Sequence, residues 1–223
     1  MSGLGSIALS VCGTPVSAAL ARAFEGAVLI REDDHRSRTA AAAALARVSE
    51  KENLQALIHA WVPDAALAAR PLARLDDQDW DAGCERVIRS TIVLMQAAYE
   101  HFRERGGVII VVQPTIGLAG QKNFAAYSAA CEAQRCLVKS VARAWGRRNI
   151  RAHSVVAAPE LFGGELAELA PRESLLSPLS LRGRTSEALL DSVVSTVRFL
   201  LSDGASNLTG TTTAVDAGRW MPL

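Results

Sequence analysis

The chain has 223 residues, a length suited to one domain, and 49% of them are hydrophobic, enough for a full core. Its 24 Lys and Arg nearly cancel its 23 Asp and Glu, which excludes the electrostatic footprint of a nucleic-acid or anionic-membrane binder. No apolar run reaches the ~18 residues of a spanning helix, and the start of the chain lacks the basic-then-apolar pattern of a secretion signal.

Cys12, Cys84, Cys131 and Cys136 show neither CxxC spacing nor a disulfide framework, and His35, His59, His101 and His153 are scattered. No metal site is expected, and the expected compartment is a reducing cytoplasm.

Short apolar runs alternate with helical stretches. Ser6–Val11 reads as a first buried strand. Pro15–Phe24 follows as a helix, with Thr14 as N-cap and Pro15 at its first position. Gly26 ends it, and Ala27–Arg31 is the second strand. Thr39–Val48 is Ala-rich and helical in pattern, and Leu54–Val62 is the next strand. Asp77–Arg105 reads as one long helix, apolar at Trp80, Cys84, Val87, Ile88, Ile92 and Met95. After Gly106-Gly107, Val108–Val112 is an unbroken aliphatic strand of the kind covered on both faces.

Asn123–Gly146 is a second long helix with two stripes. Phe124, Tyr127, Cys131, Gln134, Val138, Val141 and Trp145 form one. Ala129, Ala133, Cys136, Ser140 and Ala144 form the other, whose small residues permit close helix approach, within the chain or between subunits. Arg151–Ala157 is a strand, Pro159–Arg182 a loop, Ser186–Leu201 a helix and Thr211–Asp216 a last strand. This alternation predicts an α/β fold, a doubly wound parallel sheet with helices on both faces.

Three stretches resemble the short-chain dehydrogenase/reductase family. Gly107–Val155 carries a strand, a Gly117/Gly120 loop, a Tyr-bearing helix and the next strand. Phe199–Met221 is similar to the family's C-terminal "SD…TG…VDGG" segment. The third is the N-terminal strand-turn-helix. The resemblance spans nearly the whole chain and implies a Rossmann-like sheet over 1–223. Residues 32–53 are too few for the family's third strand and its flanking helices, so the sheet should be abbreviated on the edge where adenosine lies in the family.

The resemblance also shows what is missing. The family's phosphate turn, T-G-x-x-x-G-x-G, is here Ser10 to Ser17, with Val11, Pro15 and Ser17 in place of the three glycines. Those glycines let backbone N–H groups approach a pyrophosphate; Val11 and Ser17 add bulk and Pro15 removes a donor. The family's N-N-A-G strand end is His59-Ala60-Trp61-Val62, and its P-G loop is Ala157-Ala158-Pro159. Of the catalytic Asn, Ser, Tyr and Lys, Tyr127 alone remains; Val87, Pro114 and Cys131 stand at the other positions. A phenol of pKa ~10 needs a cation nearby to act as acid or base, and Cys131 supplies none. Thr115, beside Pro114, should point away from its neighbour's direction, so a rescue of the serine's role by Thr115 is the lesser expectation. His59 reads as a packed ring and Cys131 as a core thiol.

The expectation is therefore a chain with no nucleotide cofactor, no catalytic set and no metal. It would serve as a non-catalytic subunit in a heterodimer or heterotetramer with an active short-chain dehydrogenase. The family contains such pairings, including a CoA-thioester alcohol dehydrogenase of anaerobic toluene breakdown. Ala129, Ala133, Cys136, Ser140, Ala144 and the tail from Trp220 to Leu223 are the expected interface. The alternative is an enzyme or ligand sensor using the old cleft without NAD(P), around His59, Thr115, Tyr127 and His153.

Overall fold

The structure is a computed structural model that describes residues 6–49, 53–169 and 185–220. Six parallel strands form one sheet in the order β2-β1-β3-β4-β5-β6. They are β1 (Ser6–Ser10), β2 (Val28–Ile30), β3 (Leu54–His59), β4 (Gly107–Pro114), β5 (Ile150–Ala157) and β6 (Thr212–Val215). The helices are α1 (Pro15–Ala23), α2 (Arg38–Ser49), α3 (Asp77–Trp80), α4 (Arg86–Phe102), α5 (Ile116–Ala119), α6 (Ala125–Trp145) and α7 (Ser186–Leu201).

Alternation along the strands builds two cores. Ile7, Leu9, Ile58, Ile110 and Val155 face one side, where Val16 and Leu20 of α1 and Val193 and Val197 of α7 cover them. Ala8, Leu57, Ile109, Val111 and Ala152 face the other, against Leu45 of α2, Leu94 and Ala98 of α4, and Val138 of α6. Burying each large aliphatic side chain contributes about 1.5–3 kcal/mol, which explains why the sheet's two faces accept so few polar residues in mid-strand.

The expected helix starts hold. Thr14 caps α1, its Oγ1 accepting from the Ser17 N–H at 3.3 Å, with Pro15 at the first position. Thr185 caps α7 in the same way through Ala188 at 3.2 Å. The abbreviated edge is also present. Residues 32–35 form a 3₁₀ turn that leads into α2, and β2 is the edge strand among the described residues.

Two expectations need correction. Residues 77–105 are not one continuous α-helix: α3 passes into α4 through a π turn at Asp81–Glu85. The wider turn changes the phase of the apolar stripe, so Trp80 is exposed (37%) while Cys84 and Val87 are buried. The third strand stops at His59, so Ala60-Trp61-Val62 belongs to the loop that follows. The expected loop 159–182 forms two 3₁₀ turns, Pro159–Phe162 and Gly164–Leu169, before passing out of the described residues. Among the described residues no helix is long and apolar enough to cross a membrane.

Candidate functional site

In open parallel sheets of this kind the carboxyl ends of the strands are where ligands bind. Here that rim is filled by the chain itself. The turn after β1 closes on its own side chains. Ser17 Oγ donates to the Ala60 carbonyl at 2.6 Å and accepts from the Cys12 N–H at 3.4 Å. The Cys12 sulfur accepts from the Val62 N–H at 3.4 Å and lies 3.6 Å from the Ala60 carbonyl. Donors that a pyrophosphate would need are therefore spent on Ser17, Cys12 and Thr14.

The loop after β5 folds across this turn. Leu161 and Phe162 are 1% exposed, and a Cβ on Gly163 would stand 3.4 Å from the Pro15 ring. At Gly164 a Cβ would lie 2.6 Å from that of Leu67, in the 3₁₀ turn Asp64–Leu67 that follows β3. Gly164 has φ +57, a left-handed backbone that also favours glycine. The two loops that would flank a groove thus meet, and Ala66, Leu67, Leu161, Phe162 and Leu166 join the first core. Glu160 and Arg219 form an ion pair that ties the loop to the C-terminal segment.

On the abbreviated edge, Trp61 is 4% exposed. His35 stacks on it at 4.4 Å between ring centroids and 20° between planes, and the Arg86 guanidinium lies 5.6 Å from its centroid. Val11, Pro15, Ser17, Trp61 and the 159–169 loop together do not fit a dinucleotide.

Tyr127 is buried (4%); burial pushes its phenol well above the usual range, and the neighbouring Cys131 and Cys12 push the same way. The cavity it shares with Ala66, Gly83 and Phe124 holds about 20 Å³. Cys131 is fully buried, and desolvation, with Glu132 next, raises its thiol well above the ordinary value. Pro114 ends β4 and Val87 is 1% exposed. The Val87 carbonyl accepts from Ser90 and Thr91 at 2.8 and 3.0 Å.

The structure does not gather His59, Thr115, Tyr127 and His153 into one pocket. His59 follows Leu57 onto the α4–α6 face and reaches Ser10 and Thr91. His153 points to the other face and bonds Thr211 Oγ1 at 2.8 Å. Both rings are held neutral, His59 well below its usual range and His153 at about 4, chiefly by burial.

Sequence reasoning missed a polar row at the rim. Ser10 and His59 end β1 and β3, Ser154 lies level with them within β5, and Gln113 lies near the end of β4; all four are on the face under α4 and α6 and are 2% exposed or less. A signal was present: in each of these strands the polar residue has the same parity as the apolar residues that face α4 and α6.

The expected interface residues lie apart from the rim. Ala129, Cys136, Ser140 and Ala144 are exposed on α6 and Ala133 is half-buried, so this stripe is not packed within the chain. Trp220 is 36% exposed; residues 221–223 lie outside the described residues.

Comparison with known proteins agrees with this architecture. A family model described as Enoyl-(Acyl carrier protein) reductase matches residues 7–219. The chain belongs to the short-chain dehydrogenase/reductase family. It is 32% identical over 157 residues to a 3-oxoacyl-(acyl-carrier-protein) reductase of Pseudomonas aeruginosa, covering 67% of this chain and 60% of the relative. It is 31% identical over 175 residues to cyclopentanol dehydrogenase of a Comamonas species, covering 77% and 68%. A peroxisomal 2,4-dienoyl-CoA reductase of Pongo abelii matches at 30% over 139 residues, 59% of this chain and 46% of that one. The matched region is thus less than two thirds of the length of some of these relatives. The solved structure of levodione reductase superposes with a TM-score of 0.78, covering 96% of this chain and 97% of that one, at 17% identity. These relatives are named for oxidoreductase activities, and the family is one of oxidoreductases.

Proposed function

We propose that this chain is a non-catalytic member of its family that works without NAD(P) and assembles with an active short-chain dehydrogenase in a hetero-oligomer. The observation that carries this reading is the closure of the rim. The 159–169 loop packs on Pro15 and Leu67, and Trp61 is held between His35 and Arg86. A dinucleotide would have to displace a buried Phe162 and a capped turn before making any contact.

The exposed small-residue face of α6 supports the partner. Ala129, Cys136, Ser140 and Ala144 present short side chains to solvent, and such a face lets a second helix approach closely. A subunit interface built on it would be large and apolar.

The test is affinity purification of the full chain from its native host, followed by native mass spectrometry. The expected complex contains a second family member that keeps the Ser, Tyr and Lys set. Ser140→Glu should dissociate it, because an unpaired buried charge costs several kcal/mol, while each chain stays folded. A monomer, or a homo-oligomer that ignores such a dehydrogenase, contradicts the reading. Tyr127→Phe should change the activity of the complex less than twofold, against the ~10²–10⁴-fold typical of a general acid or base.

A further inference from the structure

A buried hydrogen-bonded chain runs behind the closed rim. His35 Nε2 lies 3.2 Å from Ser10 Oγ, which lies 3.0 Å from His59 Nδ1. His59 Nε2 is 3.1 Å from Thr91 Oγ1, which accepts from Gln134 Nε2 at 2.8 Å. The two imidazoles, with centroids 5.7 Å apart, are held in different ways. His59 ends β3, between β1 and β4, and leaves only if the sheet comes apart. The same holds for His153 within β5. His35 lies instead on the four-residue turn that follows the edge strand β2. Ion pairs from Glu32 to Arg86 of α4 and from Asp34 to Arg47 of α2 anchor that turn.

The His35 ring is the part of the turn that enters the rim. It is 5% exposed and stacks on Trp61. A neutral ring can leave one nitrogen as a bare lone pair, but a protonated ring donates from both. Ser10 serves Nε2. Nδ1 is cut off from solvent and has no acceptor among the described residues. A proton there adds both a charge and an unmet donor to an enclosed space, and each is costly when buried.

The charged groups around the ring do not offset that cost. Asp34, on the turn itself, attracts the proton, but its carboxylate already accepts from the Arg31 N–H and from Arg47, each at 2.9 Å. Arg86 of α4 repels it. On the outer side Glu32, Asp81 and Glu85 are matched in number by Arg36, Arg86 and Arg89.

We propose that His35 is an acid-released latch. Neutral, it locks the turn 32–35 onto Ser10 and Trp61. Protonated, it swings out with the turn and uncovers Trp61 and the Ser10–His59 end of the rim, while the sheet stays folded. The enclosed ring titrates at about 4, chiefly because of burial, against 6.5 for a free one. Between those values the released form binds more protons, so the latch is closed above 6.5 and loosens as pH falls toward 4. This inference is independent of the partner reading, since it concerns the edge of the sheet and not the exposed face of α6.

The experiment is hydrogen exchange of the full chain, followed by NMR at pH 7.5 and pH 5 and corrected for intrinsic rates. The reporter is the indole N–H of Trp61, and the amide of Ile110 in β4 is the reference. Trp61 should lose protection about 30-fold between the two pH values, and should be less protected than Ile110 at both. His35→Phe keeps a ring on Trp61 that cannot titrate, and should cut the change to less than threefold. His35→Gln, which keeps a polar group beside Ser10, should do the same and serves if the first variant does not fold. His153→Asn should leave the change intact. Four results would each overturn the proposal: Trp61 protection does not respond to pH, the response survives in the His35 variants, it is abolished by His153→Asn, or Trp61 is as protected as Ile110 and opens only with the whole sheet.

Discussion

Along β4, Val108 to Val112 are all aliphatic and serve the two cores in turn. At the next residue the same strand carries Gln113, 1% exposed, with neither side-chain polar atom partnered. The same change occurs in β1 at Ser10 and in β3 at His59. The middle of the sheet is held by apolar packing that tolerates little change. The rim is held by local polar contacts and by loops folded over one another, and every position that differs from the family's functional pattern lies there or on the helices facing it. The fold and the family's functional positions thus lie in separable parts of the molecule: the residues of the first keep the family's pattern here, and those of the second differ from it.

The largest effect that separates the two regions should come from the middle. Ile110→Ala removes a fully buried side chain from the centre of β4, and urea unfolding should show a loss of about 2–5 kcal/mol.

Next comes acid. His35 and His153 are buried and titrate at about 4 when folded, against 6.5 for the free ring. Between those values the unfolded chain binds more protons, so stability falls as pH drops from 6.5 to 4 and is fully present above 6.5. Each ring contributes up to about 3 kcal/mol to that loss. Unfolding midpoints at pH 7.5 and 4.5 should show it, and His153→Asn should reduce the difference.

A smaller effect is expected at the first turn. Thr14→Ala removes the cap of α1 and should cost about 1 kcal/mol, read as a shifted urea midpoint.

The smallest effect sharpens the comparison most. Restoring all three glycines, Val11→Gly, Pro15→Gly and Ser17→Gly, should leave NADH binding unsaturated at millimolar concentration. Phe162, Leu67 and Trp61 would still fill the groove. Micromolar binding in that variant would mean that the turn alone decides the site.

Much of this was legible in the amino-acid sequence. The aliphatic runs of β4 and β5 and the capped start of α1 carry their structure locally, so their bounds held within a few residues. The departures from the family motif at Val11, Pro15, Ser17, Val87, Pro114 and Cys131 are visible in the sequence because a motif position either has the family's residue or does not. The π turn was not visible, because its hydrogen bonds depend on packing around Gly83, where a Cβ would come 3.1 Å from Ala126. Nor was the His35–Ser10–His59–Thr91–Gln134 chain, whose members come from five separate elements and meet only once the sheet has formed. The closure of the rim by residues 159–169 was hidden for the same reason. A Pro- and Gly-bearing segment reads as a loop, and nothing local says what it lies against.

The short edge strand has a consequence for how the chain behaves in a crowded solution. An unpaired strand is a template on which other chains can add and grow into fibres. β2 pairs with β1 at Val28, Leu29 and Ile30, and the Ile30 carbonyl accepts from the Val11 N–H at 3.3 Å. By alternation Val28 and Ile30 turn their backbone groups toward β1, and Leu29 turns its N–H and C=O outward. A single outward pair gives an incoming strand too little to register on. Trimming the sheet to a three-residue edge therefore removed a strand without leaving a seed for aggregation in its place.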